Sequence, residues 1–293
     1  MKRKSYKKFM VCVIIVLLLV TVFTGCMNQN GNTDKKALLV VSFGSSFIEN
    51  REASIDMIEK DLAAHFSDYD YFNAFTSEII IDVYADRDNI EIDTIGTAME
   101  KIYKAGYGEV LVVPTLVING EEYDQIIETV EPYKELFTKM TISSALLTSY
   151  DDYVNVVSAL NEEMSVAKDG EAIVFMGHGT HHHANSAYGT LDYIFKDEGR
   201  DDVYIGTVEG FPTFETVLKK VKEAEYKKVT LIPMMVVAGD HAHNDMAGDE
   251  GDSWKTLFKA QGLDVDYIMK GLGEMPSIRA QFIEHAQNAL EEH

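Results

Sequence analysis

Imidazole and carboxylate side chains follow three apolar runs in the second half of the chain. The run AIVFMG is followed by His178, the run VYIGTV by Glu209, and the run VTLIPMMVVAGD by His241. The separations of 31 and 32 residues each match about one strand-and-helix repeat. Two imidazoles and one carboxylate bind divalent Zn, Co, Ni or Fe and leave coordination positions open. The pattern therefore predicts a metal site that could catalyse a reaction or transfer the ion.

The segment GHGTHHHAN, residues 177–185, contains four of the nine histidines. His178 follows a strand directly, but His181, His182 and His183 form a loop triplet with two interpretations. The triplet is either a solvated surface feature or a set of further ligands. We retain His182 as a candidate group on the substrate side of the site.

Strand-like and helix-like segments alternate along the folded part. This alternation predicts an α/β fold with parallel sheets and right-handed crossovers. Ligands bind at the carboxyl ends of the strands in such folds, where the three candidate ligands lie. Strands are predicted at 37–43, 109–118, 172–176, 203–208 and 229–237, and helices at 49–66, 92–104, 121–137, 153–166, 185–198, 212–222 and 277–291.

An internal repeat indicates two similar lobes that face each other across a cleft. YGEVLVVPTLVING and YKKVTLIPMMVVAG share Tyr, Val, Pro and Gly at a constant offset of 119. VVSFGSS resembles VFMGHGT, and we align Gly44 with Gly177. The expected lobes are 37–150 and 151–293, each a parallel sheet flanked by helices. Only the second lobe carries imidazoles at its strand ends.

The first 26 residues have the pattern of a secretory leader. Five basic residues precede the apolar segment Phe9–Phe23, and Cys26 follows small residues as in the lipobox of bacterial lipoproteins. We expect lipidation of Cys26, the alternative being an uncleaved N-terminal anchor. Both interpretations place the fold outside the cytoplasm on a membrane tether, with 27–36 as a linker.

Cysteine content and charge exclude several functions. Cys12 and Cys26 are the only cysteines, so the part after the leader can form neither a disulfide nor a thiolate metal site. Without the leader the net charge changes from −22 to −27. This charge repels nucleic acid, which we exclude as a partner. It either attracts cations or serves only solubility.

Several blocks resemble the anaerobic (class II) sirohydrochlorin cobaltochelatases of the chelatase superfamily. They include MGHGTHHHAN, IGTVEGFP, VVAGDHAHNDMAGDEGDSW, INGEEY and GLGE, and the resemblance covers almost everything after residue 36. It implies two α/β lobes around a tetrapyrrole cleft, with His178, Glu209 and His241 at the metal-binding positions. His178 and Glu209 would be the catalytic residues, with His178 also the proton acceptor. Gly44, Ser45 and His182 are candidate substrate contacts.

Two functions follow as alternatives. The first is an enzyme that inserts Co²⁺, with Fe²⁺ or Ni²⁺ as other candidates, into sirohydrochlorin; no organic cofactor is expected. The second is an extracytoplasmic protein that binds metal, haem or a related tetrapyrrole and feeds a transporter. Glu78 and Leu116 depart from the family's pattern, where a basic residue and a histidine are usual. The sequence leaves the oligomeric state open, with a homo-oligomer among the alternatives.

Overall fold

The computed structural model of the protein describes residues 34–163 and 170–292. The predicted leader, the lipidation site Cys26, most of the linker and the end of the helix predicted at 153–166 lie outside the described residues. Within the described ranges, no helix has both the length and the apolar character needed to cross a bilayer.

The first lobe contains four strands and five helices among the described residues. A π-helical turn (Tyr84–Asp88) and a 3-10 turn (Glu131–Leu136) extend two of its helices. The elements are β1 (Lys36–Ser42), α1 (Ile48–Ala53), α2 (Ile55–His65), β2 (Asp70–Phe75), α3 (Glu78–Val83), α4 (Ile95–Lys104), β3 (Glu109–Pro114), α5 (Glu121–Val130) and β4 (Lys139–Ile142).

The second lobe has the same alternation. Short helical turns occur at His183–Asn185, Ala242–Met246 and Leu272–Glu274. The elements in the described part are α6 (Tyr150–Glu163), β5 (Glu171–Gly177), α7 (Ser186–Asp197), β6 (Val203–Thr207), α8 (Phe214–Glu223), β7 (Lys228–Pro233), α9 (Trp254–Ala260), β8 (Asp264–Tyr267) and α10 (Pro276–Glu291).

Each lobe is built on a parallel four-stranded sheet. The strand orders are β2-β1-β3-β4 and β6-β5-β7-β8, so the two sheets have equivalent topology. All described strand pairs are parallel, which confirms the predicted α/β fold of two similar lobes. The central strands β1, β3, β5 and β7 are almost fully buried, as their continuous apolar runs predict.

The edge strands β2, β4 and β8 were not predicted. Their sequences DYFNAF, KMTI and DVDY are polar or only partly buried, so they lack a continuous apolar run. The predicted helix 49–66 is also divided into α1 and α2. At the break, the Ser54 hydroxyl donates to the carbonyl of Asn50 and competes with the regular backbone pattern.

The sheet register confirms one half of the internal repeat and corrects the other. Strands β3 and β7 are related by the expected offset of 119. Lys36 of β1 pairs with Glu109, and Glu171 of β5 pairs with Lys228. Lys36 is therefore equivalent to Glu171, an offset of 135 that aligns Gly44 with Gly179.

The alignment of Gly44 with Gly177 was therefore wrong by two residues. Gly44 and Gly179 both have positive φ, at 98° and 80°, a conformation that glycine adopts without strain. The same left-handed step follows both strands and fixes the equivalence. Phe43 of the first lobe thus occupies the position of His178 in the second.

The last helix joins the two lobes. Helix α10 packs against α2, β3 and β4 of the first lobe and against α6 of the second. One continuous core includes Leu38, Leu111, Phe175 and Phe282, so buried apolar surface from both sheets meets on this side. Arg279 of α10 adds a 2.6 Å ion pair with Asp61 of α2. Packing on α10 and this ion pair consequently hold the two lobes together.

A buried ion pair ties α10 to the connection between the lobes. His285 Nε2 lies 2.8 Å from Asp152 Oδ1, and both side chains are nearly inaccessible. Burial disfavours the Asp152 carboxylate, but hydrogen bonds from His285 and Ser149 outweigh it and lower the pKa of Asp152 to about 2. Burial also opposes the His285 charge, yet Asp152 raises the pKa of His285 above its usual 6.5.

These pKa shifts predict a pH-dependent contribution to stability. The depressed pKa of Asp152 stabilises the fold above its unfolded pKa, and this contribution is lost as pH falls from about 4 toward 2. The raised pKa of His285 stabilises the fold below 6.5, and this contribution is lost as pH rises through the folded value. Asp152→Asn should therefore lower the free energy of unfolding by about 2 kcal/mol at about pH 6 and by less at about pH 9.

Urea denaturation of both proteins at the two pH values measures this difference. Asp151→Asn is the matched control because Asp151 is the exposed neighbour in the same helical turn, and its effect should stay below about 0.5 kcal/mol. Equal effects of the two substitutions, or a difference that grows toward alkaline pH, would contradict the assignment.

Candidate metal and substrate site

Two imidazoles meet at the carboxyl ends of β5 and β7. His178 follows the last residue of β5, and His241 lies in the loop after β7. Because these strands are neighbours in the sheet, the ring centroids of His178 and His241 are 4.7 Å apart with the planes nearly perpendicular at 82°. The structure thus brings together two of the three predicted metal ligands.

Hydrogen bonds at Nδ1 orient both rings. His178 Nδ1 lies 2.8 Å from the carbonyl oxygen of Gly179, and His241 Nδ1 lies 2.6 Å from Oδ2 of Asp245. A carbonyl and a carboxylate oxygen accept, so each neutral ring donates from Nδ1 and keeps the lone pair on Nε2. A carboxylate behind a ligating histidine also makes the ring a stronger ligand.

The backbone of Glu209 lies next to His178, one of the two imidazole residues. Its N–H donates to the carbonyl of His178 at 2.8 Å, which continues the pairing of β6 with β5 beyond the strands. The residue is exposed and does not line the cleft described below. Within 34–163 and 170–292, no three His, Cys, Asp or Glu side chains converge into a metal-binding group. The predicted third ligand is adjacent but is not assembled with the imidazoles.

A cleft of about 480 Å³ separates this pair from the first lobe. Such a volume is within the usual range for ligand sites, about 300–1,000 Å³. Both imidazoles line the cleft, and so do the candidate substrate contacts Gly44 and Ser45. The wall contributed by the first lobe is mainly apolar and includes Phe43, Ile79, Ile80, Val83, Leu116 and Val117.

Glu122 lines the cleft although it is not among the predicted site residues. It lies in the first turn of α5 and lines the cleft on the wall of the first lobe. At the confirmed offset of 119 it is the counterpart of His241. The sequence contained evidence for this residue, because the repeat aligns Gly120-Glu121-Glu122 with Gly239-Asp240-His241. A carboxylate at this position can serve as either a metal ligand or a base.

The histidine triplet lies outside the lining of the cleft. His182 Nε2 is 3.3 Å from Asp124 Oδ2 of the first lobe, and His182 Nδ1 accepts from the N–H of Ala184. His181 and His183 are exposed. His182 therefore connects the two lobes, and the structure does not place it among the residues that line the cleft.

A second contact connects the lobes through the other histidine loop. The His243 ring stacks on Phe47, with centroids 4.2 Å apart and planes 6° from parallel. His243 Nε2 also lies 3.2 Å from Oδ1 of Asn50. The loops that carry His178 and His241 are thus each attached to the first lobe by a further histidine.

Comparisons with known proteins agree with this architecture. The family model described as cobalt chelatase (CbiK) matches residues 36–291. The chain is 44% identical over 256 residues to the sirohydrochlorin cobaltochelatase of Salmonella typhimurium, which covers 87% of this chain and 97% of that protein. It is 31% identical over 261 residues to the sirohydrochlorin cobaltochelatase CbiKC of Nitratidesulfovibrio vulgaris, covering 87% of this chain and 91% of that protein.

Solved structures support the fold. SirB from Bacillus subtilis with Fe3+ aligns at a TM-score of 0.59 and 15% identity, covering 87% of this chain and 95% of that chain. DR2241 from Deinococcus radiodurans, described as a multi-domain protein similar to chelatases, aligns at 0.54 and 12% identity, covering 86% of this chain and 55% of that chain. At these identities the likeness concerns the fold alone.

The hydrogen bond from His241 to Asp245 predicts a measurable effect on metal affinity. Asp245→Ala should weaken Co²⁺ binding by about 10-fold or more, because His241 loses the acceptor that orients its ring. Asp245→Asn should lose less, since its amide oxygen can still accept the Nδ1 proton. Calorimetric titration with Co²⁺ measures both variants. Asp249→Ala is the control, because this exposed carboxylate pairs with Lys255 instead; an equal loss there would indicate a general effect of charge.

Proposed function

The chain belongs to the CbiK cobalt chelatase family, and on that premise we propose that it inserts Co²⁺ into sirohydrochlorin. The observation that carries the proposal is the pair His178 and His241, with both Nε2 lone pairs available at the cleft. The apolar wall on the other side of the cleft offers a surface for the planar macrocycle.

We assign Co²⁺, the metal substrate, to the two Nε2 atoms. Glu209 is held beside His178 by its backbone, and its exposed side chain is free to turn toward a bound ion. An incomplete protein shell suits a substrate metal, because the ion must leave its ligands for the macrocycle nitrogens. The same donor set would accept Fe²⁺ or Ni²⁺, which stay alternative substrates.

Insertion also requires two pyrrole N–H protons to leave the macrocycle. An imidazole that holds the metal through Nε2 cannot accept a proton on the same atom. Glu122 lines the cleft on the wall opposite the imidazole pair, so it can take a proton while both histidines bind metal. His178 can accept the other proton once the metal has left its Nε2. Gly44 and Ser45 line the cleft and would contact the ring.

Sirohydrochlorin and Co²⁺ incubated with the full chain test the proposal through the absorbance change on insertion. His178→Ala and His241→Ala should each lower the rate by about 100-fold or more, since each removes a ligand and His178 also a base. His181→Ala is the matched control, because this exposed imidazole lies in the same loop as His178. Insertion by either site variant at the parent rate would refute the assigned site.

The same assay tests the carboxylate on the other wall. Glu122→Gln should lower the insertion rate by about 100-fold while Co²⁺ affinity stays within about 3-fold, because proton acceptance is lost and both imidazoles remain. The neighbouring exposed carboxylate offers the control Glu121→Gln, which should leave the rate unchanged. A parallel loss of Co²⁺ affinity in Glu122→Gln would make Glu122 a ligand rather than a base.

We also propose that the protein is extracytoplasmic and tethered through lipid on Cys26. The basic and apolar leader followed by Cys26 supports this location. The location in turn favours a second candidate function, in which the protein binds metal, haem or another tetrapyrrole and delivers it to a transporter. Turnover distinguishes the two, because a carrier would bind the macrocycle without inserting metal.

Fractionation of cells tests the anchor. The parent protein should sediment with membranes and should incorporate a radioactive fatty acid. Cys26→Ser should incorporate none, because the residue that would carry the lipid is absent. Equal labelling of both proteins would contradict lipidation at Cys26. Cys12→Ser is the control, because Cys12 lies within the apolar segment of the leader.

A further inference from the structure

Asn185 ends the histidine-rich segment GHGTHHHAN and has no part in the proposed reaction. It is the last residue of the turn His183–Asn185 and the N-cap residue of helix α7. Its side chain is half-buried and makes no capping hydrogen bond to the helix. The amide group is therefore available to the loops around it.

The Asn185 amide joins the two loops that carry proposed metal ligands. Its Oδ1 accepts from the N–H of Thr180 at 3.0 Å, two residues after His178. Its Nδ2 donates to the carbonyl of Phe211 at 2.6 Å, two residues after Glu209. Because one partner donates and the other accepts, the side chain between them must offer both an acceptor and a donor, as an amide does and a carboxylate does not.

The two loops pack backbone against backbone at this point. A Cβ atom on Gly210 would lie 2.3 Å from Oδ1 of Asn185 and 3.1 Å from the nitrogen of Thr180. A Cβ atom on Gly179 would lie 2.7 Å from the nitrogen of Gly210. The two glycines thus permit a close approach of the loops, which the Asn185 amide then fixes.

The segment around His178 has a second support on the same helix. The hydroxyl of Tyr188, in the first turn of α7, accepts from the N–H of Gly179 at 3.4 Å. A Cβ atom on Gly177 would lie 2.3 Å from the ring of Tyr188, so this ring packs directly against the strand end. Removal of the Asn185 amide should therefore leave His178 in place.

The loop of Glu209 depends more strongly on Asn185. The N–H of Thr207 closes the base of this loop by donating to the carbonyl of Pro212 at 2.7 Å. Beyond the base, the Glu209 N–H and the Asn185 amide attach the loop to the neighbouring segment. Since the Glu209 side chain is exposed, the position of its backbone decides how far the carboxylate reaches toward the imidazoles.

We propose that Asn185 is a positioning residue that holds the Glu209 loop against the His178 segment. It thereby keeps the Glu209 carboxylate within reach of an ion bound by His178 and His241. The inference rests on the proposed metal site and adds the residue that brings the third ligand to the imidazole pair. The amide acts through the backbone of the loop and contacts neither the ion nor the macrocycle.

Calorimetric titration of the full chain with Co²⁺, in non-ionic detergent, tests the proposal. Asn185→Ala should weaken Co²⁺ binding by about 10-fold, as loss of a group that orients a ligand does. Glu209→Gln should weaken it by about 10-fold or more, because the ligand itself is lost. The double variant should bind Co²⁺ like Glu209→Gln alone, since the two residues act as one unit.

Asn161→Ala is the matched control. This half-buried amide in the second lobe accepts from Nη1 of Arg200 at 2.5 Å and does not line the cleft. Its loss removes a side-chain hydrogen bond of the same kind but should change Co²⁺ affinity by less than about 2-fold.

Asn185→Asp separates positioning from charge. The variant keeps an oxygen for the N–H of Thr180 but turns a second carboxylate oxygen toward the carbonyl of Phe211, and the two oxygens repel each other. An added negative charge alone would tighten Co²⁺ binding, whereas loss of the loop contact should weaken it by about 5-fold. Urea denaturation without metal checks that each variant is folded, and Asn185→Asp, which has the shape of the parent side chain, decides the question if the alanine variant is not.

The outcomes separate this inference from the proposed function. Additive losses in the double variant, tighter Co²⁺ binding by Asn185→Asp, or parent affinity in Asn185→Ala would each overturn the positioning role. Parent affinity in Glu209→Gln would also overturn it, because the loop would then carry no ligand. Cobalt insertion by the parent protein would still support the chelatase function in all these cases. Non-additive losses without any insertion by the parent would support the inference and overturn the enzyme.

Discussion

The parallel pairing of β5 with β7 is the constraint on which the site depends. Their register continues past the strand ends, where the N–H of Met234 donates to Met176 at 2.8 Å. Two loops therefore leave the sheet side by side. This brings the rings of His178 and His241 into contact. Asp245, one helical turn beyond His241, then fixes the face that its ring presents. A site of this kind needs only sheet register and two short-range hydrogen bonds.

The position of the cleft wall formed by the first lobe is determined by contacts between the two lobes. Helix α10 packs on both lobes, and its ion pairs with Asp61 and Asp152 lie outside the lining of the cleft. At the cleft itself, His182 and His243 join the loops of the second lobe to the first. The separation between Glu122 and the imidazole pair is thus a property of the whole molecule, because it is determined by packing on both sides.

Much of this arrangement follows from local sequence. The central strands are continuous apolar runs, so the sequence alone predicts their ends and hence the positions of His178 and His241. The edge strand β8, with the sequence DVDY, carries no such signal because solvent covers much of it. The counterpart of Gly44 could be identified only from the hydrogen-bond register of the strands. Gly177 and Gly179 lie two residues apart, so the sequence does not show which of them is equivalent to Gly44. The side-chain direction of Glu209 depends on tertiary surroundings that no pattern encodes.

The equivalence of Phe43 with His178 and of Glu122 with His241 has a stereochemical consequence. A cleft with identical walls would offer metal to both faces of a planar ring, whereas here both imidazoles belong to one wall. An ion held by these two imidazoles, as proposed, would therefore reach only the face turned toward the second lobe. Sirohydrochlorin has two distinguishable faces, since its reduced rings carry methyl groups at tetrahedral carbons. At the proposed site, divergence between the two halves of the repeat would thus restrict insertion to one face of the macrocycle.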